Sequence, residues 1–223
     1  MVWDLNSEIK YIFIHIPKNG GTSIENKLDK IKLISKKFYD NVPIQHLTLP
    51  YIKHNLKLKN YDKLIKFTIV RNPYERLLSD YYWQIKLGCF FFDGKLDKNG
   101  IWKTKKLKDV VVPNFDEFLN LVEDVVLNDK YHENIFYDHF RPQYQFIYDN
   151  GNNLADNIFK FEQFDQIQKF IDNICLKNNI NTKWKVMNKS DNKTKIVLSL
   201  EQKEKIYRIY KLDFDLFNYQ NLL

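Results

Sequence analysis

Tyr11-Ile12-Phe13-Ile14-His15-Ile16-Pro17-Lys18-Asn19-Gly20-Gly21-Thr22-Ser23 is the stretch whose reading decides the fold. From Tyr11 to Ile16 the residues are β-branched or aromatic apart from His15, the composition of a buried strand. Pro17 ends the strand, and Gly20-Gly21 turn the chain. Thr22 and Ser23 can then cap a helix expected through roughly Ile24 to Ile34. The chain holds only six glycines, so an adjacent pair at a strand–helix junction is informative. At such a junction the first helical N–H groups have no intrahelical partner, and the helix dipole favours an anion. Two glycines let the backbone approach a phosphate, Thr22 and Ser23 add hydroxyl donors, and Lys18 contributes a point charge. A Walker A loop places its lysine after the glycines, with a Ser or Thr on magnesium; here Lys18 comes first. The order argues against a metal-dependent NTPase.

The same grammar recurs downstream. Leu64 to Val70 reads as a strand, Asn72 as an N-cap and Pro73 as the first helical residue, with the helix running to about Lys86. Arg71 stands where that strand ends and can grip a phosphate with its guanidinium fork. Ser79, on the helix, can complete such a site if its face turns back, and Arg76 is either a further donor or an ion-paired arginine. Asn114 with Glu117 opens a helix to Leu127, Asn157 to Phe161 is a short strand, and a helix follows from about Asp165 to Lys177. Ser199 with Gln202 caps a last helix running to about Leu212. Strand, polar turn and helix, twice over, give an α/β fold with a central parallel sheet flanked by helices. From Gly88 to Pro113 the pattern is lost. We expect residues 88–113 to be a mobile lysine-rich insertion in a single domain spanning 1–223.

A chain of 223 residues, 44% hydrophobic and 28% charged, can close a core and is not a disordered tail. Its net charge of +7 favours anionic partners without choosing among them. The two cysteines, Cys89 and Cys175, form no CxxC pattern, which excludes a disulfide scaffold or four-ligand zinc site as the expectation. The first residues lack a signal peptide and no run of about 18 apolar residues occurs, so a soluble cytoplasmic chain without a membrane span is expected.

Two anion sites at adjacent strand ends match a nucleotide with phosphates at both its 5′ and 3′ positions. Residues Phe13 to Ser23 resemble the 5′-phosphosulfate loop of sulfotransferases, and Val70 to Ser79 resemble their 3′-phosphate motif. The likeness is to the carbohydrate branch, which includes uronyl 2-O and chondroitin-type enzymes, and His139 to Gln143, Phe161-Glu162 and Tyr210 to Phe214 look like later family segments. The resemblance implies a P-loop-like three-layer domain and a sulfuryl donor, 3′-phosphoadenosine 5′-phosphosulfate (PAPS), with adenosine 3′,5′-bisphosphate as product and no metal. It implies cofactor binding by Pro17, Lys18, Asn19, Gly20, Gly21, Thr22, Ser23, Arg71 and Ser79, with Lys189 and Ser190 in a nucleotide-side loop.

Sulfuryl transfer needs a base for the acceptor hydroxyl and positive charge near the leaving oxygen. Lys18 suits the second task. Of the five histidines, His15 reads as a packed core residue. His46 matches the place of the catalytic histidine of the uronyl 2-O branch and is the expected base. His54, His132, His139 and Glu25 remain as other candidates for it. Lys103, Lys105 and Lys106 in the insertion, with His139 and Arg141, are candidates for binding an acceptor expected to be a glycan, neutral or acidic, rather than nucleic acid. A kinase using ATP and magnesium, or a non-catalytic polyanion-binding module, are the rival readings.

Overall fold

Runs of β-branched and aromatic residues pair side by side in the computed structural model, which describes residues 11–28, 38–39, 42–43, 46–56, 58, 60–96, 102–177, 183–184 and 196–221. In chain order the elements are β1 (Tyr11–Ile14), α1 (Gly21–Lys27), β2 (Phe38–Tyr39), β3 (Val42–Pro43), α2 (Leu49–Asn55) and β4 (Ile65–Val70). Then come α3 (Pro73–Leu87), β5 (Phe92–Leu96), β6 (Trp102–Lys106), α4 (Phe115–Leu127), β7 (Tyr148–Asp149) and β8 (Asn152–Asn153). β9 (Asn157–Lys160), α5 (Phe164–Lys177), α6 (Leu200–Ile209) and α7 (Lys211–Leu216) follow. The chain divides into two compact units, Met1–Arg71 with Gln145–Lys189 and Asn72–Tyr144 with Ser190–Leu223.

The first unit is a mixed structure built on a parallel three-stranded sheet in the order β1-β4-β9, flanked by helices. Phe13 lies opposite Phe67, and Phe67 opposite Asn157, so the register stacks two aromatic rings on one face. That face packs on Ile24 and Leu28 around α1 and on Ile167, Ile171 and Ile174 of α5. Phe170 of α5 touches one ring on each strand, Tyr11, Phe67 and Phe159. Phe13 and Phe67 are each 1% exposed, and burying a side chain of this size contributes about 1.5–3 kcal/mol. The buried Thr68 hydroxyl donates to the Ile14 carbonyl at 2.8 Å, satisfying a polar group in the sheet. β1 stops at Ile14 rather than at Ile16, because its pairing ends with Ile14 opposite Thr68.

The second unit is mainly helical. Asn72 and Pro73 do what their chemistry predicts: the Asn72 side chain accepts from Tyr74 N at 2.9 Å, and Pro73 occupies the first turn of α3. Phe118 of α4 is the centre of the core, in ring contact with Tyr81, Phe90, Phe115 and Phe140. The Ser199–Gln202 capping box is present, but the helix it opens breaks at Tyr210 into α6 and α7.

The stretch read as patternless contains an antiparallel hairpin, with Phe92 opposite Lys106 and Lys95 opposite Lys103. Lys103, Lys105 and Lys106 are exposed on β6. Lysines are poor β-formers but common on unpaired edges, so they hide a strand from a propensity reading. Among the described residues no helix is long and apolar enough to cross a membrane.

Asn114 caps α4 reciprocally. Its Oδ1 accepts from Asp116 N and Glu117 N at 3.0 Å, and Glu117 accepts from Asn114 N at 2.8 Å. Asn114→Ala is expected to lower stability by about 1 kcal/mol, read from the urea midpoint with an unchanged slope.

Candidate functional site

Between β1 and α1 the backbone takes two left-handed residues, Lys18 at φ 69° and Gly20 at φ 78°. Lys18 carries a side chain in that conformation, which costs about 1–2 kcal/mol and needs surroundings that enforce it. Two hydrogen bonds do so. Asn19 is 1% exposed and its Nδ2 donates to the Ile69 carbonyl at 2.7 Å. Arg71, just beyond β4, donates from Nη1 to the Lys18 carbonyl at 3.2 Å. The Arg71 guanidinium also lies over the Phe161 ring, 4.7 Å from its centroid. The loop and the strand-end arginine are thus one assembly inside the first unit. Turns of this kind present backbone N–H groups on a concave face suited to an anion.

Thr22 and Ser23 do not cap α1 as expected. The helix opens at Gly21 with Gly20 as its N-cap and no side-chain cap bond, and Ser23 N donates to Gly20 O at 3.0 Å. Gly20, able to adopt the left-handed turn, starts the helix two residues earlier, which leaves Thr22 and Ser23 inside its first turn. Pro17, Asn19 and Ser23 are buried, while Lys18 and Thr22 are half-buried.

His15 is tied to a carboxylate. Its Nδ1 lies 2.7 Å from Glu25 Oε1, with the side chains 6% and 12% exposed. Since a carboxylate only accepts, Nδ1–H donates. Burial drives the His15 imidazole down from the ordinary 6.5 to about 4, against the opposing pull of Glu25, so His15 is neutral. Burial is the largest single influence on the Glu25 carboxyl and pushes it up, but the His15 hydrogen bond and nearby positive charge together hold the carboxyl below its ordinary value. His46, half-buried and ahead of α2, meets the His15 ring edge to face at 5.5 Å between centroids. The structure therefore brings His15, Glu25 and His46 together in the first unit, with His15 three residues along the chain from Lys18. The association of His15 with Glu25 was missing from the sequence reading; the signal was a histidine inside an apolar strand, which requires a polar partner.

The other candidates lie on other elements of the chain. His54 and Lys53 both reach Asp149 Oδ2 at the surface, at 2.9 and 3.1 Å. His132 is exposed in a turn after α4. Ser79 is half-buried on α3 in the second unit. Arg76, read as either a donor or an ion-paired arginine, is 3% exposed and donates from Nη2 to the carbonyls of His139 and Arg141 at 2.7 and 3.0 Å. His139 Nδ1 lies 2.8 Å from Asp80 Oδ1, and the His139 ring stacks on Trp83. Arg141 pairs with Asp138 at 3.1 Å and sits over the Tyr131 ring at 4.0 Å. Asp213, fully buried, accepts from Gln143 N and Tyr144 N; burial pushes its carboxyl up from 3.8 to about 6, against the charge of Arg76. Lys189 and Ser190 lie outside the described residues.

A Cβ on Gly21 would come within 2.2 Å of the His15 ring, which Phe13 and Glu25 hold in place. Gly21→Ala is expected to cost about 1–3 kcal/mol. Combined with His15→Ala it should cost less than the two single changes added together, read from urea unfolding. The neutral His15 also makes stability depend on pH. Its folded value lies below the unfolded one, so its contribution is full above 6.5 and is lost as pH falls toward 4. Relative to His15→Asn, the unaltered chain should lose about 3 kcal/mol across that window. Asp213, whose raised value makes stability fall as pH rises between 3.8 and 6, is common to both proteins and cancels in the difference.

Neither the curated proteins nor the solved structures yield a match to the chain. A family model described as "Sulfotransferase family" matches residues 4–220. A match over nearly the whole chain means that the protein belongs to the sulfotransferase family and is an enzyme of sulfuryl transfer.

Proposed function

We propose that the chain uses PAPS as donor and transfers its sulfuryl group to a hydroxyl of a carbohydrate, with His46 as base. The observation that supports this reading best is the joined loop and arginine. Lys18 and Gly20 adopt left-handed conformations, and Arg71 donates to the loop while standing at the end of the neighbouring strand. Two anion-binding groups in one assembly suit a nucleotide carrying phosphate at both ends, with Pro17 to Ser23 at the 5′ side and Arg71 at the 3′ phosphate. The first unit, with its strand, anion-binding turn and helix around a parallel sheet, is read as P-loop-like.

Bound PAPS supplies the sulfuryl group; the protein supplies position and charge. Lys18 holds a positive charge beside the loop where negative charge develops on the leaving oxygen. His46 takes the proton of the acceptor hydroxyl at a ring nitrogen, and an imidazole suits that task near neutral pH. Arg71, clamped over Phe161, keeps its fork oriented before the ligand arrives, which reduces the ordering cost of binding.

The first test is the melting temperature of the full chain with adenosine 3′,5′-bisphosphate, compared with ATP plus magnesium. At about 100 times its dissociation constant the bisphosphate should stabilise the fold by about 2.7 kcal/mol, and Arg71→Ala should remove the shift. A shift with ATP and magnesium alone would overturn the reading in favour of a kinase. The exposed Lys103, Lys105 and Lys106 on β6 form a cationic edge that supports an acidic acceptor. Replacing all three by Gln should raise the apparent KM for a sulfated or uronate-containing glycan several-fold and flatten its salt dependence, with bisphosphate binding unchanged. An unchanged KM would remove the hairpin from acceptor recognition.

A further inference from the structure

Glu25, His15 and His46 arrive from three segments of the first unit: α1, the residues after β1, and the residues ahead of α2. His15 has little freedom. Phe13 stacks on it at 6.0 Å and 23°, Glu25 holds Nδ1 at 2.7 Å, and the Gly21 Cα packs against the ring so closely that a Cβ there would lie 2.4 Å from Nε2. Against this fixed ring His46 rests edge to face, with an interplanar angle of 80°.

Packing alone does not call for a carboxylate at this place. Glu25 is 12% exposed, and removing a charge from water is costly unless something repays it. His15 cannot repay it as an ion pair, because burial keeps the imidazole neutral. The Glu25 carboxylate thus meets His15 as a neutral hydrogen-bond donor, and His46 is among the groups whose positive charge favours its ionised form. His15, from the loop after β1, and Glu25, from α1, are titratable groups that face His46, and of the two it is Glu25 that carries charge through the neutral range.

We infer that Glu25 and His15 form a positioning pair for His46: Glu25 fixes the tautomer and orientation of His15, and its charge stabilises the imidazolium that His46 becomes. The inference rests on the reading of His46 as base. In the transfer step the acceptor O–H bond breaks and its proton passes to a ring nitrogen of His46. The electron pair left on the acceptor oxygen forms the new bond to sulfur, while the bond from sulfur to the bridging oxygen breaks and leaves its pair on the nucleotide phosphate. His15 keeps its Nδ1 proton and Glu25 stays ionised, so neither is a proton donor or acceptor in the step. Pairs of this kind, with perturbed groups gathered around one imidazole, cluster at functional sites.

The test needs no acceptor. In the full chain with isotope-labelled histidine, the His46 ring signals, assigned with His46→Ala, are followed from about pH 5 to about pH 9. Glu25→Gln keeps an acceptor oxygen for His15 but removes the charge, and should move the His46 midpoint to lower pH by roughly half a unit or more. If that variant fails to fold, the unaltered protein supplies the reciprocal measurement, since the Glu25 carboxyl carbon signal must then move as His46 titrates. With a glycan acceptor, Glu25→Gln should lower kcat about tenfold, shift the acid limb of its pH profile downward, and leave the bisphosphate melting shift intact. An unmoved His46 midpoint, or a Glu25 carbon indifferent to it, overturns the pairing even if the chain transfers sulfuryl groups through His46. A moved midpoint in a chain whose His46→Ala variant still turns over at full rate leaves the electrostatic coupling standing. It overturns the role in catalysis together with the reading of His46 as base.

Discussion

The side-chain amide of Asn19, closed off from water, donates to the carbonyl of Ile69, and the shape of the loop depends on it. A buried amide deprived of its partner costs about 1–3 kcal/mol, so the loop cannot lift from the end of β4 without a penalty. Arg71 answers from the other direction by donating to Lys18. Loop binds strand and strand binds loop, and between these anchors Lys18 is kept in a conformation that a non-glycine residue otherwise avoids. The strain resides in the residue whose charge the proposed chemistry uses.

Both units bury a histidine against a carboxylate, with different surroundings. In the second unit His139 leans on Asp80 and Trp83 while Arg76 holds the carbonyls at 139 and 141, and Asp213 receives the N–H groups of Gln143 and Tyr144. The Arg76 and Asp213 bonds hold the backbone of a turn-rich segment, and the His139 contacts anchor one of its side chains. In the first unit the corresponding pair, His15 with Glu25, sits beside the turn proposed to bind an anion and a second imidazole. A like pair of residues anchors a turn-rich segment in one place and, in the proposed mechanism, supports the base in the other.

Local chemistry was legible in the sequence wherever a few adjacent residues decide the outcome. The strand and turn at 11–21, the Asn72-Pro73 start of α3, and the capping boxes at Asn114 and Ser199 follow from side chains acting within four residues of themselves. Where two rules competed, the reading went astray: Gly20 began α1 ahead of the hydroxyls at 22 and 23, because a glycine at φ 78° needs no cap to turn. The β5–β6 hairpin escaped because pairing between lysine-bearing strands depends on register rather than on propensity. The meeting of His15, Glu25 and His46 escaped for a related reason. Their approach is created by the sheet and by the path of the chain into α2, and no spacing along the sequence encodes it.

Phe161, the residue directly after β9, touches both halves of the loop assembly. Its ring lies beneath the Arg71 guanidinium, and its edge comes within 2.9 Å of where a side chain on Gly20 would begin. The thickness of one aromatic ring therefore gauges the separation between the turn and the arginine. In the proposed complex a nucleotide spanning the two is measured against that spacing, so a change in the size of the ring would recalibrate the proposed site.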